Sequence, residues 1–130
     1  MKRSILSLTA FFLLVCVSMA QAKESKAVQK AREAVANAAP DDWMTYAKSA
    51  EVLLNKNTSL NDVAEWLDKS MAIKESSFNL ELKGDYYMAT NLPKKAMEFY
   101  IKSMQMGKEE NEYYNPLDVQ DKIRQAQASI

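Results

Sequence analysis

The chain has 130 residues, 17 basic and 17 acidic, with one cysteine and no histidine, a length that supports one modest core in a single domain. Lacking histidine, it lacks the commonest general base and metal ligand. Two glycines and three prolines are few turn residues for a β protein and natural for helices, and no basic stripe gives nucleic acid or an anionic membrane an electrostatic reason to bind.

Residues 1–22 read as a targeting segment rather than fold. Lys2 and Arg3 form a basic start, Ile5 to Val17 is a nearly unbroken apolar run of 13 residues, and Ala20-Gln21-Ala22 is a small-x-small exit, the three parts of a cleaved secretory signal peptide. About 20 apolar residues are needed to cross a bilayer, so the run is short for an anchor. The expected location is therefore periplasmic or extracellular, with no membrane insertion after cleavage. Cys16 follows Val15, where a lipid-attachment signal wants a small residue, and so reads as part of the apolar run. The mature chain, residues 23–130, then keeps 15 basic residues against 17 acidic ones and no cysteine, which removes disulfide and thiol chemistry.

From Lys23 to Ala39, Ala27, Val28, Ala31, Ala34, Val35 and Ala38 recur at helical spacing. This flanking helix is built mostly from alanine, buries little area and needs a neighbour; Pro40 stops it. Asp41 or Asp42 caps a second helix to about Asn55, with Asn55-Lys56-Asn57 as its exit. Ser59 and Asp62 are read as a short capping box for a third helix, Leu60 to about Lys74. Ser76 or Ser77 starts a fourth, ending near Asn91. Pro93 opens a fifth at its first turn, and Gly107 is expected to stop it. A charged, irregular stretch, Lys108 to Tyr114, leads to Asn115-Pro116 and a last, mostly hydrophilic helix over 116–129, suited to capping a helical stack.

One stretch occurs twice. Ala64-Glu-Trp-Leu-Asp-Lys-Ser-Met-Ala-Ile-Lys-Glu75 and Met97-Glu-Phe-Tyr-Ile-Lys-Ser-Met-Gln-Met-Gly-Lys108 align at an offset of 33, while Tyr46/Leu80, Ala50/Gly84 and Leu53/Tyr87 align at 34. Repeats of this length mark stacked supersecondary units. The units, 41–74 and 76–108, resemble the tetratricopeptide repeat (TPR). Leu80, Gly84 and Tyr87 match its first-helix pattern, and Tyr46, Ala50 and Leu53 match less well. Ala96, Tyr100 and Ser103 fit its second helix, and Val63, Leu67 and Ser70 occupy the same places with different volumes. The resemblance implies an all-α, short right-handed helical-hairpin solenoid of about two full repeats, with 23–39 as the second helix of a preceding half-repeat and 116–129 as a cap.

Glu109-Glu110-Asn111-Glu112 lacks the alternating oxygens and glycine of a calcium loop, and Glu81 and Asp85, four apart, face solvent more often than they form a catalytic pair. No catalytic residue, metal or cofactor is expected. The resemblance points to the concave face lined by first helices: Met44, Ala47, Glu51, Phe78, Glu81, Asp85 and Met88, apolar groups beside carboxylates, suited to a peptide with basic and apolar residues. The leading expectation is a non-enzymatic interaction scaffold of the bacterial envelope. The alternative is an accessory or self-associating subunit, a homodimer for example, that uses its exposed terminal helices.

Overall fold

Six helices form where apolar spacing and terminal residues coincide: α1 (Lys26–Ala36), α2 (Trp43–Asn55), α3 (Leu60–Ile73), α4 (Ser77–Ala89), α5 (Pro93–Glu110) and α6 (Leu117–Ala128), in a computed structural model that describes residues 23–130. No strand occurs among the described residues, so this part of the protein is all-α. The signal-peptide reading of 1–22 lies outside them.

The caps are local chemistry. Ser25 Oγ accepts Val28 N at 3.3 Å, and Asp42 accepts both the Thr45 hydroxyl (2.6 Å) and Thr45 N (3.0 Å), bonds that hold its carboxyl below the ordinary range. At α4 the box is reciprocal: Ser76 Oγ accepts Asn79 N and Asn79 Oδ1 accepts Ser76 N. Pro93 stands at the first position of α5, where its missing N–H is no loss. Asn57 (φ 47°) and Asn91 (φ 59°) take the left-handed turns after α2 and α4, a conformation asparagine tolerates.

Three boundary expectations are corrected. Ser59 makes no cap bond, being itself left-handed at φ 49°; its hydroxyl accepts Arg32 Nη2 at 2.9 Å, and Asp62 pairs with Arg32 Nη1 at 2.5 Å. Gly107 does not end α5, which continues to Glu110. Asn115 acts from one residue farther out, its Oδ1 accepting Leu117 N at 3.1 Å.

Each helix packs on its neighbour in the chain, and α2 also touches α4. A first core gathers Val28, Ala31, Tyr46, Ala50, Leu53, Val63 and Leu67 with Leu82; a second gathers Ala96, Tyr100, Val119 and Ala126. The duplicated stretches make the same bond. Ser70 Oγ on α3 donates to the carbonyl of Trp43, the first residue of α2, at 2.8 Å. Ser103 Oγ on α5 donates to the carbonyl of Ser77, the first residue of α4, also at 2.8 Å. Each bond ties the late part of one helix to the start of the preceding, antiparallel one.

Volumes trade across the hairpins. A Cβ on Gly84 would run into the Tyr100 ring, while their equivalents, Ala50 and Leu67, are both fully buried. One hairpin closes with nothing against a ring, the other with a methyl group against an isobutyl. Gly107 likewise seats a ring, since its Cβ would fall 2.5 Å from Tyr114 Cε2.

Gly84→Ala should cost about 1 to 3 kcal/mol of overpacking, more than the roughly 1 kcal/mol that alanine gains in helix propensity. Adding Tyr100→Leu, which rebuilds the Ala50/Leu67 pair, should recover part of the loss in urea unfolding. Ser103→Ala should cost about 0.5 to 1.5 kcal/mol. Ser70→Ala should cost more, because Ser70 Oγ also accepts the buried Asn79 amide at 3.1 Å; equal losses would contradict this accounting.

Candidate functional site

The first helices of the two hairpins present a strip of side chains related by the 34-residue offset: Met44/Phe78, Ala47/Glu81 and Glu51/Asp85. Positions seven apart return to one face of a helix, which places Met44 and Glu51 together on α2. Met44 is 36% exposed and Glu51 half-buried.

The other members of the predicted face are spent within the chain. Ala47 is fully buried, in the first core with Val28 and Ala31 of α1; a methyl group lets the neighbours close over it. Phe78 packs against the same core and Met88 against the second. Glu81 and Asp85 converge on a cation of α6, Lys122. Lys122 Nζ lies 2.7 Å from Glu81 Oε1 and 2.8 Å from each Asp85 oxygen. Tyr100 OH donates to Asp85 Oδ1 at 2.7 Å, and Lys122 Nζ stands 5.8 Å from the centre of the Tyr100 ring. Two carboxylates, one ammonium and one phenol thus link α4, α5 and α6 and leave one net negative charge.

The surroundings set the titration of this group. Burial pushes the Tyr100 hydroxyl well above its ordinary value, with the bond to Asp85 and the charges of Asp85 and Glu81 acting the same way. For Lys122, burial acts to lower the pKa, but the bonds to Asp85 and Glu81 and their charges outweigh it and leave the pKa raised. Tyr114 is raised by burial first, then by Glu81; its hydroxyl finds no hydrogen-bond partner among the described residues, the nearby Ser103 proton going to Ser77 O.

A second cation is more enclosed. Lys83, 6% exposed, reaches Asp68 Oδ1 at 2.5 Å, and its ammonium lies 5.2 and 5.6 Å from the Tyr86 and Tyr87 rings. Among the described residues, no three histidine, cysteine, aspartate or glutamate side chains gather so as to hold a metal ion. No helix among them is long and apolar enough to cross a membrane. Compared with protein-family models, curated proteins and solved structures, the chain matches none.

The face therefore offers an apolar and acidic pair on α2, Met44 and Glu51, beside an acidic pair on α4 already holding a lysine. Lys122 had no local signal, standing 37 residues from Asp85.

The raised pKa values of Tyr100 and Lys122 predict alkaline sensitivity. A folded pKa above the unfolded one gives stability that is complete below the unfolded value, near 10 for tyrosine and 10.4 for lysine, and is lost as pH rises through the folded one. Urea midpoints should hold to about pH 9 and fall beyond about pH 10. Tyr100→Phe should flatten that fall while lowering the neutral-pH midpoint, and an unchanged alkaline slope would contradict the assignment. Lys122→Met should cost about 1 to 2 kcal/mol, between the values of exposed and buried pairs, and less in high salt.

Proposed function

We propose that the protein is a non-enzymatic interaction module of the bacterial envelope, a short right-handed helical-hairpin solenoid similar to the TPR, which holds a peptide or protein partner on the face lined by its first helices. The observation that carries the reading is the repeated serine bond, Ser70 to Trp43 O and Ser103 to Ser77 O at the same 2.8 Å. Equivalent residues making equivalent bonds are what tandem copies of one hairpin produce, and stacked hairpins act through the surface they shape. The contact of α2 with α4 agrees with first helices standing side by side. The all-α core, with its polar groups absorbed in helix–helix ties, supports a binding role over catalysis.

The partner's chemistry follows from the face. Met44 and Glu51 offer an apolar contact and a carboxylate, and the α4 pair keeps one unbalanced charge after Lys122. A partner carrying a basic and an apolar residue about two helical turns apart fits α2. A basic residue aimed at Glu81 and Asp85 has to displace Lys122.

The alternative, an accessory or self-associating subunit docking through its terminal helices, is favoured by one feature. Helix α1 packs in cis on α2 through Val28 and Ala31, leaving an open groove with Ala27, Ala34 and Val52 between Lys30 and Lys48.

A photoreactive residue placed at Met44 or Glu51 should give one crosslinked product in native envelopes, and the same group at Lys69 or Ile101, on the second helices, should not. Identical products from both pairs of sites would reject the face. Glu51→Lys should weaken the crosslink without lowering the urea midpoint, whereas reversing Glu81 or Asp85 would confound binding with the Lys122 tie.

A further inference from the structure

Helix order sorts the charges into two ends that the sequence keeps interleaved. One end is fixed by the Ser70–Trp43 and Ser103–Ser77 bonds and by Ser77 N donating to Glu110. It holds the α1–α2, α3–α4 and α5–α6 connections, with the exposed carboxylates Asp41, Glu75, Glu109, Glu112 and Asp118. Its lysines are Lys74, laid over the Trp43 ring, and Lys108, with Lys69 and Lys102, next to the two serines, laid over the Tyr46 and Phe99 rings. The opposite end holds the α2–α3 and α4–α5 turns. There Lys23, Glu24, Ser25, Lys56 and Thr58 line one cavity, and Leu92, Pro93, Lys94, Lys95 and Ile130 line another. Its carboxylates Glu24 and Asp62 both pair with Arg32.

Each end also carries uncovered apolar side chains: Tyr113 (87% exposed) and Leu117 (59%) at the acidic end, Leu92 (44%) and Ile130 (59%) at the basic end. With Met44, which follows Trp43 at the start of α2, five of the six large hydrophobic side chains that stand exposed among the described residues lie at these two ends. Opposite charge around apolar studs is the pattern of a surface and its complement, here on a single molecule.

The geometry points to a second copy of this chain as the occupant: the basic end of one molecule seats on the acidic end of another, head to tail. The contact is heterologous, so it adds further copies along an open chain unless the rotation closes. It uses the turn ends of the hairpins and, although Met44 at the start of α2 borders the acidic end, it rests on observations separate from the partner-binding reading. An anionic lipid surface would explain the lysines but leaves Tyr113 and Leu117 at the far end without a role.

The test is light scattering across a concentration range. Association should appear at about 0.01 M salt and recede toward about 1 M, as the screening length falls from roughly 30 Å to 3 Å. Lys56→Glu with Lys94→Glu, and separately Glu109→Lys with Glu112→Lys, should each weaken self-association about tenfold or more. Mixing the two variants, one acidic at both ends and one basic at both, should restore it. Circular dichroism checks the fold of each, and the salt dependence of the unaltered protein decides the matter if a variant unfolds. The inference is overturned by a monomer at every concentration and salt, by association that neither reversal weakens, by failure of folded variants to pair on mixing, or by a monomer that adsorbs to phosphatidylglycerol vesicles through Lys56 and Lys94.

Discussion

Close approach of antiparallel helices is the constraint on which the rest depends. A helix pair sharing one thin core must let side chains from one helix reach the backbone of the other, at separations of about 8 to 10 Å. Gly84 against Tyr100 meets that demand at its limit, since the ring occupies the space of the missing Cβ. The tyrosine gains burial there, and its hydroxyl meets the half-buried Asp85, so one glycine sets both the packing of α4 on α5 and the position of a buried polar atom. Where the first hairpin has Ala50 and Leu67, no hydroxyl emerges and no equivalent network forms. The two copies thus share a backbone plan and differ in what that plan delivers to the face.

The serine bonds complement this packing. Small residues allow approach but fix no register along the helix axes, because methyl and hydrogen surfaces slide at little cost. A hydroxyl donating to one particular carbonyl does fix it. Ser70 and Ser103 hold their hairpins at matching points, and Ser70, through Asn79, also ties α3 to the start of α4, where Asn79 completes the capping box. A buried hydroxyl left without a partner is costly, so any axial slip loses more than the bond alone.

What was legible in the sequence was what is encoded locally. Six helices, the caps at Asp42 and Ser76 to within one residue, and Pro93 in its first turn all follow from groups within about four residues of one another, the range of helix signals. The repeat was legible because identical residues recur. The rest depends on partners far along the chain. Gly107 looks like a stop until Tyr114 lies across it; Ser59 and Asp62 look like a capping box until Arg32, some thirty residues upstream, takes both. The candidate face suffered most from this. The repeat register placed Ala47 on the concave face, but α1 supplies core neighbours around it, and Phe78 and Met88 pack against the adjoining cores. Spacing along a helix tells which residues share a face, and only the neighbours decide whether that face is open.

Lys122 shows how the last helix is held. Helix α6 brings little apolar area, Val119 and Ala126 being its fully buried residues, so its docking on α5 gains from a polar tie that an interior helix would not need. An ammonium between two half-buried carboxylates retains part of its hydration, avoids the full penalty of a dry ion pair and is strengthened by having two partners rather than one. On the proposed reading, the same arrangement couples docking to binding. Any cation that engaged Glu81 or Asp85 would compete with the group fastening α6 and so would loosen that helix. A ligand confined to Met44 and Glu51 bears no such cost, and the two halves of the strip, alike in sequence position, are therefore unequal as places to bind.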